Sequence, residues 1–205
     1  VAANYLAGSN FTGTGLSINA TSTGAAHAAA VAGVGGLLAA GAGADADADD
    51  NTTVSATIGA GARANVGTGT ITVAATASPD AKAFAKGAAV AGGLAVGVAV
   101  ANATAAPTVR AAIEDNASLP ASQFSAGRLS VLATGSVFGT PVGDASELPD
   151  TTGDFDRGGT SAAASAIAGS GAYYVAATGT DAQAHNTASV TASVGNYVRL
   201  PTGTV

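Results

Sequence analysis

Hydrophobic and polar residues alternate one for one over several parts of this chain. The clearest case is the stretch GAGADADADDN at residues 41–51, in which alanine and aspartate alternate over residues 44–49. A period of two is the period of a β-strand, whereas an α-helix repeats every 3.6 residues. The pattern therefore predicts a strand with methyl groups on one face and carboxylates on the other.

Two marker sequences recur three times each along the chain. The first marker reads GTGLSINAT, GTITVAAT and GRLSVLAT, and its leading apolar residues are Leu16, Ile71 and Leu129. The second marker follows as TVSATIG, TVRAAIE and SVTASVG, with valine at Val54, Val109 and Val190. Self-similarity at a nearly fixed period is typical of repeat architectures, in which stacked units share a continuous core.

The markers predict one repeat array rather than several independent domains. Its expected parts are residues 13–67 (repeat 1), 68–126 (repeat 2) and 127–198 (repeat 3, with an acidic insertion near 143–159). ANYL at residues 3–6 resembles GNYV at residues 195–198. Residues 1–12 are therefore expected to be the tail of a preceding repeat, and residues 199–205 the start of a next one.

Both ends of the chain carry apolar residues and lack a polar cap. We expect them to stack head to tail on adjoining identical repeats or subunits, either within one longer chain or between separate copies. The residues predicted to make this contact are Tyr5, Leu6, Phe11, Tyr197, Val198 and Leu200. The chain contains no Met and begins with Val1, which predicts a processed product or a segment of something longer.

The alanine–aspartate stretch has counterparts at residues 99–104 and 180–185 when the repeats are aligned on their markers. One face stays small in all three: Ala44, Ala46, Ala48; Ala99, Ala101, Ala103; Thr180, Ala182, Ala184. The other face changes: Asp45, Asp47, Asp49; Val100, Asn102, Thr104; Asp181, Gln183, His185. The small face predicts tight packing against another sheet, and the variable face predicts a surface.

Small residues dominate the composition and limit the kind of core that the chain can form. It has 29 Gly and no Trp, with only 5 Phe and 4 Tyr, so large aromatic side chains cannot supply the burial. Closely stacked sheets suit such residues, and the predicted class is all-β, as a repetitive β-solenoid or β-helix. Tandem β-sandwich repeats are the alternative. A helix at residues 25–32 or 162–168 also stays open, because alanine favours helices.

Charge and cysteine content exclude several classes of function. The chain has 7 basic and 13 acidic residues, a net charge of −6, so it is a poor ligand for phosphate backbones, and no nucleic acid partner is expected. It has no Cys and therefore no disulfide framework or thiolate chemistry. The longest apolar run, residues 88–101, is too short and too rich in glycine for a membrane helix.

Few residues could carry acid–base chemistry, and no enzyme is expected. Titratable groups of the required kind are limited to His27, His185, Glu114 and Glu147 beside the aspartates, and no G-x-S-x-G nucleophile elbow is present. A calcium site is the one cofactor considered, since calcium requires several converging oxygens. Its candidate ligands, in and just before the stretch GDFDRGG, are Asp150, Asp154 and Asp156, and a solvated acidic loop is the competing interpretation.

Alternating stretches such as ITVAATASPDAKAFAKGAAVAGGLAVGVAVANATAAPTVRAAIED show a family resemblance. They resemble the Ala/Gly/Val-rich repeats of large bacterial filamentous adhesins, including haemagglutinin-like, autotransporter-like and leukotoxin-like filamentous adhesins. The resemblance covers residues 16–198 and lies in composition and strand pattern. It implies export, an extracellular or cell-surface location and repetitive β structure. It also implies a role in attachment or as a fibre, with a host surface or a neighbouring cell surface as a partner.

A flat-surface binder, of ice or polysaccharide, is the alternative function. A binding face of this kind requires a threonine at the same place in every repeat. Thr72 aligns with Ser17 and Ser130, and Thr180 aligns with Ala44 and Ala99. This irregularity favours the structural and adhesive interpretation.

Overall fold

The computed structural model describes residues 1–115, 122–135, 162–196 and 198–199. All regular secondary structure within these residues is β-strand, and the all-β class is confirmed. The segments for which a helix was considered are strands. The calcium candidates Asp150, Asp154 and Asp156, the acidic insertion, and the assembly residues Tyr197 and Leu200 lie outside the described residues.

Seventeen strands are described. They are β1 (Ala2–Tyr5), β2 (Asn10–Thr12), β3 (Leu16–Thr23), β4 (Ala26–Gly36), β5 (Ala39–Asp50), β6 (Thr53–Ile58), β7 (Arg63–Asn65), β8 (Thr70–Ser78), β9 (Ala81–Ala91), β10 (Leu94–Ala105), β11 (Thr108–Ile113), β12 (Ser122–Ser125), β13 (Arg128–Gly135), β14 (Ala162–Ala172), β15 (Val175–Asn186), β16 (Ser189–Val194) and β17 (Val198–Arg199).

The strands form five separate sheets, and each strand pairs in parallel with the strand five places along the chain. The sheet orders are β1-β6-β11-β16, β2-β7-β12-β17, β3-β8-β13, β4-β9-β14 and β5-β10-β15. Greek-key sandwiches are built from antiparallel pairs, whereas the ladders between the described strands are parallel. One repeat of the chain therefore contributes one strand to each of the five sheets.

The register agrees with the alignment of the first and second markers. Leu16 and Leu129 are the partners of Ile71 on the two sides of β8. Val54 and Val190 are likewise the partners of Val109. The weaker match between ANYL and GNYV does not give the register, because Tyr5 pairs with Ile58 in the column that ends at Val194. The marker alignment is confirmed for the described strands.

Branched aliphatic side chains form the larger of the cores. Inward residues of the sheets that contain β3, β6 and β7 pack into one cluster, whose fully buried members include Val54, Ile58, Ile71, Val73 and Ile113. We call this cluster the aliphatic core. Each repeat contributes residues at the same columns, so the cluster is continuous from repeat to repeat, as expected for stacked units.

The other two sheets form a separate two-layer unit, which we call the alanine blade. It consists of the sheet β4-β9-β14 packed face to face on the sheet β5-β10-β15. Its interior contains alanines from both layers: Ala44, Ala46, Ala48, Ala81, Ala83, Ala85, Ala99, Ala101, Ala103 and Ala105. Ala46 and Ala101 are buried, as predicted for the small face, and Asp45, Asp47 and Asp49 are exposed on the opposite face.

Two-residue bends connect the layers of the alanine blade. They lie at residues 37–38, 92–93 and 173–174, and they stack above one another because the strands on both sides are in register. The chain thus turns between two strands at each bend. Gly92 and Gly93 form the bend of the second repeat, where their lack of side chains suits a turn.

Candidate functional site

The outer face of the sheet β5-β10-β15 changes from acidic to mixed across the three repeats. Its polar columns run Asp47–Asn102–Gln183 and Asp49–Thr104–His185. The side-chain amide of Asn102 donates a hydrogen bond to Asp47 at 2.8 Å, which links two strands of the sheet. In the third repeat, Gln183 donates to the carboxylate of Asp181 at 2.9 Å and also contacts the His185 ring nitrogen at 3.1 Å.

The carboxylates of this face spread along an edge strand and do not converge. Among the described residues, no group of three or more His, Asp or Glu side chains is arranged to hold a metal ion. Strand β5 is the edge of its sheet, and Asp45, Asp47 and Asp49 all point outward from it. The three carboxylates thus give this edge strand an acidic outer face.

Asp50 is buried, with 6% of the residue exposed, unlike Asp45, Asp47 and Asp49 on the same strand. It accepts hydrogen bonds from the backbone N–H of Thr52 at 3.2 Å and of Asp80 at 3.3 Å, and from the Thr52 hydroxyl. The carboxylate occupies the space beside Gly24, where a Cβ would overlap it. Asp50 thereby joins three chain segments at the corner between β5 and β6.

Asp80, just before β9, contacts both a histidine and a lysine side chain. Its Oδ2 atom lies 3.1 Å from Lys82 Nζ and 3.2 Å from His27 Nε2, and its Oδ1 atom is buried with no hydrogen-bond partner among the described residues. The ring of His27 is half exposed. The sequence did not predict the hydrogen-bond contact between His27 and Asp80, which connects β4 to the segment before β9.

A threonine ladder crosses the outer face of the sheet β3-β8-β13. Thr21, Thr76 and Thr134 occupy one column, so threonine is present there in every described repeat. Thr72, which aligns with Ser17 and Ser130, belongs to a different column, and the column of Thr76 was not predicted from the sequence. The signal was available, because each copy of the first marker ends in this threonine. The column two residues away is mixed, with Asn19, Ala74 and Leu132.

The far end of the alanine blade is apolar and highly exposed. Its bends carry Leu37 and Leu38, which are 91% and 83% exposed, and Tyr173 and Tyr174, which are 83% and 80% exposed. The two tyrosine rings pack edge to face with centroids 5.0 Å apart. No charged residue occurs in residues 29–44, 87–109 or 162–180, which contain this end of the blade in each repeat. This surface was not predicted from the sequence.

The predicted assembly residues have different environments. Tyr5, Phe11 and Val198 are half-buried against the aliphatic core, whereas Leu6 is 70% exposed. The Tyr5 hydroxyl donates to the backbone carbonyl of Arg63 at 3.3 Å, and burial raises the pKa of Tyr5. These three half-buried residues therefore complete the core at its two ends.

The fold and these surfaces define an all-β protein in which parallel strands repeat at equivalent columns. No family model matches the chain, and neither a curated protein nor a solved structure is similar to it. Within the part of the chain that the structure describes, no helix is long and apolar enough to cross a membrane.

Proposed function

We propose that the chain is a structural and adhesive segment of an exported bacterial surface fibre, built as a β-solenoid. Each repeat would form one coil of the solenoid, with the aliphatic core as its axis and the alanine blade as a flange. The parallel pairing of each strand with the strand five places later supports this architecture. The location that follows is extracellular, at the cell surface, and the role is mechanical rather than enzymatic.

The observation that carries the proposal is an uncovered inner face on the last strand of the blade. Ala182 is the register partner of Ala101, which is 0% exposed, whereas Ala182 is exposed on β15, an edge strand of its sheet among the described residues. Open strand edges readily pair with another chain. An adjoining repeat or identical subunit, stacked head to tail, would cover this edge and give a filament if the contact does not close.

Electron microscopy of the purified 205-residue chain, over a range of concentrations, tests the proposal. We expect elongated particles that lengthen as the concentration rises. Hydrogen exchange should show that strands β1 and β16 gain protection on assembly. A chain that stays monomeric and monodisperse at high concentration, with both ends already protected from exchange, would contradict the proposal.

The threonine ladder supports flat-surface binding as a second candidate function. Thr21, Thr76 and Thr134 present hydroxyl groups at the regular strand spacing of about 4.8 Å, a geometry that suits a repetitive ligand such as ice or polysaccharide. Thr76→Val should then reduce inhibition of ice recrystallisation or co-sedimentation with insoluble polysaccharide. Thr104→Val, on another sheet, is the matched control. Wild-type protein that is inactive in both assays would contradict this candidate.

A further inference from the structure

The outer face of the sheet β5-β10-β15 is apolar near the bends, and we call this part the distal face. Leu94, Val96 and Val98 form a ridge along its central strand and are 45%, 36% and 40% exposed. Beside Val96 and Val98, the flanking strands place Gly41 and Gly43 on one side of the ridge, and Ala177 and Gly179 on the other. Beside Leu94 they place Ala39 and Val175, which is 55% exposed. The distal face is therefore a ridge that lies between two shallow grooves at Val96 and Val98.

The geometry of the sheet determines the spacing of the ridge and the grooves. Neighbouring strands lie about 4.8 Å apart, and outward side chains repeat about every 6.6 Å along a strand. A second copy of the chain has a ridge and grooves with the same spacing, so its ridge fits a groove without any change in either sheet. Short uncharged segments rich in Val, Ala and Gly, free of proline, form dry sheet-to-sheet contacts of this kind.

Charge limits the kinds of partner that this face can take. The first charged residues beyond it are Asp45 and Asp181, one on each side of Val100, and the chain as a whole carries a net charge of −6. No basic residue lies within residues 87–109, so an anionic membrane or a nucleic acid would meet only apolar groups and carboxylates. The chemistry fits a neutral, apolar sheet face.

We propose that the distal face binds the distal face of a second copy of this chain, side by side. This lateral contact differs from the head-to-tail contact of the proposed fibre. It would join neighbouring fibres into bundles, and that consequence rests on the proposed function. The contact between two isolated chains does not depend on the fibre and can be measured separately.

The size of the distal face sets the expected affinity. Three strands and five residues along each give about 14 by 17 Å, or roughly 250 Å² in projection. A stable interface takes about 800 Å² from each partner. Two isolated chains should therefore associate weakly, whereas arrays that present the face on many coils should associate strongly through multivalency.

Single cysteines test this contact cleanly because the chain has none of its own. Val96→Cys places a thiol on the ridge, Val90→Cys places one on the opposite face of the blade, and Thr104→Cys places one on the same face nearer the base. With a short bismaleimide, Val96→Cys should form covalent dimers about tenfold faster than either control. The reason is that even a weak complex raises the effective concentration of one thiol near the other. Equal rates for the three variants would overturn the proposal.

A second substitution and a lipid arm complete the experiment. Val98→Lys added to Val96→Cys should return its cross-linking rate to that of the controls, and circular dichroism must show that the double variant keeps its β signal. Flotation with phosphatidylcholine vesicles examines lipid as the alternative occupant. Vesicle binding that Val98→Lys abolishes, without fast Val96→Cys dimers, would overturn the proposal in favour of a lipid surface. If the chain forms no fibres but Val96→Cys still forms dimers quickly, the head-to-tail function is rejected and the lateral contact is supported.

Discussion

Gly87 and Gly97 face one another across the alanine blade, one from each layer. A Cβ on Gly97 would lie 3.4 Å from the carbonyl oxygen of Gly87 and only 2.4 Å from that of Gly169. A Cβ on Gly87 would lie 2.2 Å from the carbonyl oxygen of Val98. The two layers are therefore closer here than even an alanine side chain allows, which explains why glycine interrupts the alanine rows of β9 and β10.

Gly97→Ala should destabilise the protein because the added methyl group forces the two layers apart. Overpacking of a dense interior typically costs about 1–3 kcal/mol. The matched control is Gly43→Ala, since Gly43 is paired with Val98 and nothing lies within 4 Å of its Cβ position. Removing an unnecessary glycine should be neutral or stabilise by up to about 1 kcal/mol. Urea unfolding measures both, and equal effects would show that the layers are not in close contact.

The packing face of the blade is tested by a pair of neighbouring substitutions. Ala101→Leu adds bulk at a position that is 0% exposed and should lower the free energy of unfolding by about 1–3 kcal/mol or more. Asn102→Leu, on the outer face, loses its hydrogen bond to Asp47 and should cost less, about 1 kcal/mol at most. Thermal or urea unfolding compares them. If the outer substitution is the more damaging one, the assignment of faces is wrong.

The alternation of the sequence predicts the faces and the register because both depend on local spacing. A period of two places every second side chain on one side of a strand, so the burial of Ala46 and the exposure of Asp47 follow from position alone. The repeat markers then give the register, since equivalent side chains lie side by side on paired strands. These features need no information from distant parts of the chain.

Other features depend on contacts that the sequence does not state. The bends of the blade carry Gly92 and Gly93 in one repeat but two leucines or two tyrosines in the others, so no common turn residue marks them. The burial of Asp50 depends on the space beside Gly24 and on the N–H of Asp80, which are distant along the chain. Only the three-dimensional register brings these groups together.

Asp50→Ala should be among the more damaging aspartate substitutions. It leaves the N–H groups of Thr52 and Asp80 without their acceptor at a buried corner, and an unsatisfied buried donor costs about 1–3 kcal/mol. Asp49→Ala is the control, because that carboxylate is exposed on the next position of the same strand and should change stability by less than about 0.5 kcal/mol. Chemical unfolding of the two variants decides the matter, and equal losses would mean that Asp50 does not hold the corner.

Alkaline pH should weaken the packing of β1 through Tyr5. Burial raises its pKa above the ordinary value of 10.0, so the folded state holds the phenol proton more tightly than the unfolded chain does. The stability that depends on this proton is fully present below pH 10.0 and is lost as the pH rises through the folded-state pKa. Tyr5→Phe should flatten the decline in unfolding free energy above that pH, whereas Tyr173→Phe, at an exposed bend, should keep it. Parallel pH profiles for wild type and Tyr5→Phe would exclude a role for this phenol.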